Sequence, residues 1–302
     1  MNMSKVLVTG GTGFVGKQVL KLLDNSKFEI HAVTRDSNKA FSSRVCWHEL
    51  DLLQPEEIES LMRELRPTLL IHLAWDVDPQ TYWHSENNFI WVKSTLALAH
   101  SFQRYGGKRM VTAGTCAEYD WIEGELTEDF SVLSQGSLYS SSKNRLFALL
   151  QQFAQTTEMS LAWCRLFFLY GPFESSTRLV PSVICSLLDN RDAGCSEGSQ
   201  RRDYMHVKDA ARAIVTIFES EMNGAVNIAS GHAVSIRSVV QEVARQLGKE
   251  DSVNFAIEKS DVPPLVLGNA DKLKSLGWRP NYTLQTGIAD TISWWRTQVK
   301  GG

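Results

Sequence analysis

A tyrosine and a lysine four positions apart are the residues best suited, by type and spacing, to move a proton. Tyr139 and Lys143 bound the segment Tyr-Ser-Ser-Ser-Lys, and the pattern after them predicts a helix over residues 140–156. Because side chains four apart share a helix face, the phenol and the ammonium would lie side by side. A neighbouring cation lowers the pKa of a phenol, so Tyr139 is predicted to act as a general acid or base.

A hydroxyl group completes the candidate catalytic set. Thr115 closely follows a strand-like run over residues 109–113, and its hydroxyl could hold a substrate oxygen while Tyr139 transfers a proton. A tyrosine and a lysine at this spacing alone are close to chance, and a surface pair on a helix is then the simpler explanation. Their position downstream of Thr115 and of a glycine-rich loop makes the combination specific.

The glycine-rich loop follows the first apolar strand. Residues 5–9 run into Gly10, Gly13 and Gly16, and apolar residues at helical spacing come next. The order of strand, glycine turn and helix predicts a dinucleotide-binding unit. Gly10 would make the tight turn, Gly13 would let the backbone approach a pyrophosphate, and Gly16 would let helix and strand pack closely. The helix N-terminus would offer N–H groups to the phosphates.

Alternating strands and helices must position these groups. Strands are predicted at residues 5–9, 29–34, 44–48, 69–73, 109–113, 161–168 and 225–229, with helices from residue 55 and at 89–104, 140–156, 180–188, 209–221 and 236–247. This alternation predicts an α/β fold, a doubly wound parallel sheet of the Rossmann type covered on both faces. The pattern loosens after residue 168, and residues 190–200 are predicted to form a polar loop.

Two regions are therefore expected. Residues 1–168 would form the NAD(P)-binding Rossmann domain. Residues 169–302 would form mainly a smaller, partly interleaved C-terminal substrate lobe, with segments around 203–250 returning to the main sheet.

Composition excludes several classes of function. The chain has 302 residues, 43% of them hydrophobic and 22% charged, with a formal net charge of -3. This gives no basic surface for nucleic acid or a membrane, and the apolar runs are too short to span a bilayer. The first residues lead directly into a strand, so we expect no signal peptide. The five cysteines form no CxxC pair, which predicts reduced thiols, a cytoplasmic location and no metal site.

With these motifs the chain resembles the extended short-chain dehydrogenase/reductase family, the NAD(P)-dependent nucleotide-sugar epimerases, dehydratases and reductases. Further motifs that carry the resemblance are Asp51-Leu52, Ile71-His72-Leu73-Ala74, Tyr170-Gly171-Pro172, Arg202-Asp203-Tyr204-Met205-His206-Val207 and Leu276-Gly277-Trp278-Arg279-Pro280. The resemblance implies that Tyr139 is the general acid/base, that Lys143 also holds the nicotinamide ribose, and that Thr115 helps bind the reacting oxygen. The cofactor contacts it implies are Gly10, Thr12, Gly13, Phe14, Val15, Gly16, Arg35, Asp51, Leu52, Leu73, Ala74, Trp75, Tyr139 and Lys143.

The end of the second strand bears on the choice of cofactor. Thr34 stands where NAD-dependent relatives present an acid to the adenosine ribose, and Arg35 follows it. An arginine there suits the 2′-phosphate of NADP, so we expect NADP rather than NAD. Asp36, one residue later, could still be the ribose acid.

The segment after Thr115 bears on the reaction. Nucleotide-sugar 4,6-dehydratases carry an Asp-Glu pair there, whereas this chain has Cys116 and Ala117. Glu118 is offset by one residue and, on an extended segment, would point the other way. We therefore expect NAD(P)H-dependent reduction of a nucleotide-diphosphate 4-keto-6-deoxyhexose, with a 4-epimerase holding NAD tightly as the alternative. A non-catalytic dinucleotide sensor is less favoured, because such proteins typically lose the tyrosine and lysine.

The expected partner is a nucleotide-diphosphate sugar, and the predicted substrate contacts are Trp75, Cys116, Phe168 and Arg202. Phe168 stands where relatives carry an asparagine, which predicts a more apolar pocket. Arg202 would meet a diphosphate or ribose, because guanidinium binds phosphate bidentately. The resemblance also implies a homodimer through the helices predicted at 89–104 and 140–156.

Several other conspicuous side chains are expected to be structural. Packing is the simpler role for any one of Trp75, Trp83 and Trp121, although as a set they could form a floor for a sugar or base. His72, Arg165 and His206 are expected to be structural residues.

Overall fold

The computed structural model describes residues 3–23, 28–122, 124–258 and 262–299. Its strands are β1 (Lys5–Thr9), β2 (Glu29–Thr34), β3 (Val45–Glu49), β4 (Leu69–His72), β5 (Arg109–Thr115), β6 (Glu125–Leu126), β7 (Ser160–Leu166), β8 (Phe168–Tyr170), β9 (Ala193–Cys195), β10 (Arg201–His206), β11 (Gly224–Ile228), β12 (Ala233–Ser235), β13 (Val253–Phe255) and β14 (Leu265–Gly268). Its α-helices are α1 (Phe14–Leu23), α2 (Pro55–Leu65), α3 (Asn87–Arg104), α4 (Leu138–Thr157), α5 (Leu179–Leu188), α6 (Val207–Glu219), α7 (Ile236–Leu247), α8 (Asp271–Ser275) and α9 (Leu284–Val299).

Seven parallel strands form the large sheet, in the order β11-β7-β5-β4-β1-β2-β3. Both faces are covered, with α1 and α6 on one side and α2, α3 and α4 on the other, and the central strands β1, β4 and β7 are largely apolar. The predicted doubly wound α/β fold is confirmed. Strand order reverses between β1 and β4, and in such sheets ligands bind beyond the carboxyl ends of the strands at that point.

The second half of the chain forms a smaller layer and also returns to the large sheet. The order β12-β10-β14-β6, with β8 beside β10, makes a second sheet, and β13 pairs with β9. A separate core joins α5, α7 and α9 around Val183, Val240 and Ile288. β11 is the edge strand of the large sheet, and α6 packs against α1. The division at residue 168 itself stays a prediction.

Two stretches differ from the conformation that the sequence predicts. The strand expected over 161–168 is broken after Leu166, and Phe168 begins a strand of the other sheet. The loop expected over 190–200 contains β9, which pairs with residues 253–255. Its partner lies far along the chain, so no local pattern indicates it. Among the described ranges, no helix is long and apolar enough to cross a bilayer.

Candidate active site

A cleft of about 390 Å³ lies where the strands of the large sheet end, a volume in the range of small-molecule sites. Every residue predicted to contact the cofactor lines it: Gly10, Thr12, Gly13, Phe14, Val15, Gly16, Arg35, Asp51, Leu52, Leu73, Ala74, Trp75, Tyr139 and Lys143. Fold and local sequence thus bring together residues that are more than a hundred positions apart.

The glycine turn leaves no room for side chains. Gly10 has φ +69°, and a Cβ on it would lie 2.7 Å from the Ala74 nitrogen. A Cβ on Gly16 would lie 2.0 Å from the Gly10 oxygen. The Gly13 N–H donates to Gly10 O at 3.0 Å, and α1 begins at the next residue. The first N–H groups of α1 therefore face the cleft, and this cradle fits a dinucleotide pyrophosphate.

The far end of the cleft has a cationic side chain where β2 ends. Thr34 and Arg35 both line the cleft, and Arg35 is exposed. The Asp36 carboxylate instead accepts hydrogen bonds from the Asn38 N–H and side-chain amide, both at 3.0 Å. Asp36 is thus engaged in its own 3-10 turn and does not line the cleft.

Tyr139 and Thr115 meet beside the cleft. Thr115 is the last residue of β5, and Tyr139 is the second residue of α4, which Ser137 caps through hydrogen bonds with Ser140. The Thr115 side chain lies close enough to the Tyr139 hydroxyl to oppose in part the effect of burial on the pKa of Tyr139. Tyr82 packs edge-on against the Tyr139 ring at 4.9 Å between centroids, and Tyr139 is only 7% exposed. The two hydroxyls are therefore placed to share one substrate oxygen.

The electrostatics of Tyr139 differ from the sequence expectation. Burial raises the pKa of Tyr139 above its ordinary value, so the expected lowering by Lys143 is wrong. Lys143 is itself buried, and burial lowers its pKa to about 7. Its Nζ donates to Ala113 O at 3.0 Å and lies 3.5 Å from the centroid of the Trp75 ring. Lys143 thus interacts with a carbonyl and an aromatic face, and Tyr139 is protonated at neutral pH.

Glu118 is part of a buried ion pair. Residues 116–118 form a 3-10 turn, not the extended segment expected. The Glu118 carboxylate accepts from Arg165 Nε at 2.7 Å, from Trp163 Nε1 at 2.9 Å and from the Thr115 N–H at 2.8 Å. These bonds hold the carboxylate in the core and fix Thr115 at the end of β5. The structural role expected for Arg165 is confirmed.

The two histidines expected to be structural have buried partners. His72 is hydrogen bonded to Thr9 Oγ1 at 2.7 Å and to Thr95 Oγ1 at 3.0 Å, and burial lowers its pKa to about 3. His206 stacks on Tyr282 with ring centroids 4.1 Å apart. Both are therefore packing residues.

The predicted substrate contacts separate into two groups. Trp75 lines the dinucleotide cleft, and its Nε1–H donates to Asn88 Oδ1 at 3.1 Å. Cys116, Phe168 and Arg202 do not line that cleft. The Arg202 guanidinium lies 5.7 Å from the Phe168 ring, and the Cys116 thiol is buried with a raised pKa. These three residues lie on the side of the C-terminal lobe.

Sequence reasoning missed three residues that follow Tyr170-Gly171-Pro172, namely Phe173, Glu174 and Arg178. The Arg178 guanidinium lies 5.5 Å from the centroid of the Tyr82 ring, and Tyr82 packs on Tyr139. Burial raises the pKa of Glu174 to about 8, and its Oε2 has no hydrogen-bond partner among the described residues. Phe173, just before it, has φ +74°, a strained value for a residue with a side chain. Their position directly after Tyr170-Gly171-Pro172 is the signal that could have found them.

Comparison with known proteins agrees with this geometry. Residues 6–229 match the family model described as the NAD dependent epimerase/dehydratase family. The chain is 27% identical to UDP-glucose 4-epimerase from Bacillus subtilis, covering 98% of each chain. It is 25% identical to CDP-abequose synthase from Salmonella typhimurium, covering 95% of this chain and 97% of that one. The solved UDP-glucose 4-epimerase of Thermus thermophilus in complex with NAD superposes with a TM-score of 0.81 at 26% identity, over 97% of this chain and 99% of that one.

Proposed function

Because the chain belongs to the NAD-dependent epimerase/dehydratase family and is an extended short-chain dehydrogenase/reductase, we propose that it reduces a nucleotide-diphosphate 4-keto-6-deoxyhexose to the 4-hydroxy sugar. The observation that supports this proposal is geometric: Tyr139 and Lys143 line the dinucleotide cleft, and Thr115 ends β5 beside Tyr139. Reduction of a ketone creates an alkoxide that needs a proton, which the Tyr139 phenol can donate.

Each polar side chain of the site has a defined task in this reduction. A bound nicotinamide supplies the hydride. Thr115 donates a hydrogen bond to the substrate oxygen, and the neighbouring Tyr139 delivers the proton to the same atom. Lys143 holds the ribose next to the nicotinamide and, while charged, stabilises the phenolate that remains. The Glu118–Arg165 pair fixes Thr115 through its backbone N–H.

The cofactor is of the NAD(P) type, and within that type we propose NADP. Arg35 is exposed on the lining of the cleft, whereas Asp36 is bonded to its own turn. A guanidinium can bind a 2′-phosphate bidentately, and a carboxylate turned away cannot bind the ribose hydroxyls. The remaining lining residues, from the glycine turn to Trp75, would hold the rest of the dinucleotide.

The substrate lobe would bind the nucleotide sugar. We propose residues 1–168 as the dinucleotide-binding domain and residues 169–302 as mainly the substrate lobe. Arg202 would bind the diphosphate, and Trp75, Cys116 and Phe168 would contact the sugar or base. The buried Arg202 guanidinium, which donates to Arg201 O at 2.9 Å and lies 5.7 Å from the Phe168 ring centroid, supports this arrangement because guanidinium binds phosphate bidentately.

The second candidate is a 4-epimerase with tightly bound NAD. The match to UDP-glucose 4-epimerases favours it. The test is a screen of CDP-, GDP-, dTDP- and UDP-linked 4-keto sugars with NADPH and with NADH. Consumption of the reduced dinucleotide is monitored by its absorbance. Consumption of NADPH with a keto sugar supports the reductase. NAD released on denaturation, together with sugar isomerisation that needs no added cofactor, identifies the epimerase and refutes the reductase.

We propose that the protein is a cytoplasmic homodimer. Phe89 (62% exposed) and Leu149 (53% exposed) lie on α3 and α4, which pack side by side and could form a four-helix interface with a second copy. The five cysteines are free thiols, as is usual in a reducing compartment. Sedimentation velocity distinguishes a dimer from a monomer.

A further inference from the structure

Three side chains with metal-binding atoms converge at the outer edge of the large sheet. His31 lies on β2, and Cys46 and His48 lie on β3. The parallel register sets His31 beside Cys46, and alternation along a strand puts positions 46 and 48 on the same face. One ligand atom from each residue lies within 4.8 Å of the others. We propose that this cluster, the Cys46–histidine site, binds a zinc ion.

Hydrogen bonds already orient one of the two histidines as a ligand. His31 Nε2 lies 2.9 Å from Glu29 Oε1, and His31 Nδ1 lies 2.8 Å from His48 Nε2. In a neutral ring, an Nε2–H that donates to a carboxylate leaves Nδ1 with a lone pair. Carboxylates hold metal-bound histidines in this way, by accepting from the nitrogen that does not bind the metal. The Nδ1 lone pair of His31 therefore points to the place that the ion would take.

The spacing suits a tetrahedral ion after a small movement. Zinc with Zn–N bonds of about 2.0–2.1 Å holds two ligand nitrogens about 3.4 Å apart. The two imidazoles, now at hydrogen-bond distance, would separate by about half an ångström. Cys46 is exposed, so its side chain has room to turn toward the ion. Two imidazoles and one thiolate are ligands typical of zinc, and a water molecule would complete the coordination.

The binding step balances in protons and involves no redox change. The ion replaces the hydrogen between the two rings, and His48 keeps its proton by moving it from Nε2 to Nδ1. The Cys46 thiol releases one proton as the Zn–S bond forms.

Two carboxylates and a lysine lie near the two rings. Glu29 Oε1 is 2.9 Å from His31 Nε2 and 3.9 Å from Lys5 Nζ, and Glu64 interacts with His48. Bound zinc would tie the edge strand β3 to β2. Thr34 and Arg35 lie three and four residues beyond His31, about 10 Å along the strand, so the site would stiffen the adenosine end of the cleft. The sequence contains no CxxC motif, so no metal site was expected. The three proposed ligands come from two different strands, and no short motif contains them all.

Titration of the full chain, free of any affinity tag, tests this proposal. Zinc is added to chelator-treated protein in a calorimeter against a competing chelator, with no dinucleotide or sugar present. One zinc per chain is expected, with release of about one proton and an increase in Tm. Because this readout needs no turnover, its result is independent of whether the proposed reductase activity is found.

Variants locate the site. Cys46→Ala and His48→Ala should each weaken binding at least about tenfold, and Glu29→Gln should weaken it about tenfold through His31. The matched control is Cys195→Ala, in β9 of the other lobe, which should bind zinc as the wild type does. With Co²⁺, a thiolate charge-transfer absorption should appear and be lost in Cys46→Ala. Equal zinc affinity in Cys46→Ala and the wild type, or a cobalt spectrum without that absorption, would overturn the proposal.

Discussion

Replacing Lys143 by methionine should stabilise the folded protein while impairing the proposed reaction. Lys143 is buried, and its pKa falls from 10.5 to about 7. This difference corresponds to about 5 kcal/mol of destabilisation when the lysine must be protonated in the folded state. Methionine keeps most of the packing against Trp75 but leaves Ala113 O without its donor, a loss of about 1–2 kcal/mol. The net gain expected for Lys143→Met near pH 7 is about 3 kcal/mol.

The pH dependence follows from the sign of the shift. Below about pH 7, Lys143 is protonated in both the folded and the unfolded state, and the full cost is present. Between about pH 7 and 10.5, the folded state releases its proton while the unfolded state keeps it, so the wild type becomes more stable as pH rises. The advantage of the variant should therefore shrink by about 2 kcal/mol between about pH 7 and 9.

Urea unfolding of the wild type and of Lys143→Met at these two pH values measures the effect. Lys93→Met, at an exposed position of α3, is the matched control and should change neither stability nor its pH dependence. A difference in unfolding free energy between wild type and Lys143→Met that does not vary with pH would show that burial does not lower the pKa of Lys143.

Three further variants test the dinucleotide site and the buried Glu118–Arg165 ion pair. Arg35→Ser should raise KM for NADPH at least about tenfold and leave KM for NADH nearly unchanged, because it removes a charge-assisted phosphate contact. Gly16→Ala should abolish dinucleotide binding in a fluorescence titration, because its Cβ would meet Gly10 O at 2.0 Å. Glu118→Gln should lower the free energy of unfolding by about 3 kcal/mol in urea, because it leaves the buried Arg165 guanidinium without a carboxylate.

Each of these variants has an outcome that contradicts its premise. Arg66 is exposed and lies outside the cleft, so Arg66→Ser is the control for Arg35→Ser. Equal effects of the two variants on KM for NADPH would contradict a contact between Arg35 and the 2′-phosphate. Circular dichroism must show Gly16→Ala folded, and normal dinucleotide affinity in that folded variant would contradict the close packing. Glu125→Gln, at an exposed position, should be neutral, and the same loss as in Glu118→Gln would contradict the buried pair.

The sequence was sufficient for the large sheet and for the positions that line its cleft. Alternating apolar strands and helices, with a glycine turn after the first strand, specify a parallel sheet whose strand ends meet. Once that topology is given, Ala74, Lys143 and Gly10 must come together, and the structure places them along one cleft.

The remaining features depend on contacts between distant segments. β9 forms only because residues 253–255 pair with it, and the break after Leu166 is set by the second sheet. The pKa of Tyr139 depends on burial beneath Tyr82, which spacing along α4 cannot indicate. Glu118 lies one residue away from the position of the acidic pair of 4,6-dehydratases. Its ion pair with Arg165 joins two distant segments, so the local sequence does not indicate it.

The proposed reduction depends above all on the proton that the Tyr139 hydroxyl donates, and Tyr139→Phe removes that proton donor. Single-turnover reduction of a nucleotide-linked 4-keto sugar by NADPH is compared in the wild type and the variant, with dinucleotide affinity measured in both. Dinucleotide affinity is expected to be unchanged and the reduction rate in Tyr139→Phe to be lower by about a hundredfold or more. A reduction rate in Tyr139→Phe close to that of the wild type would contradict proton donation by Tyr139.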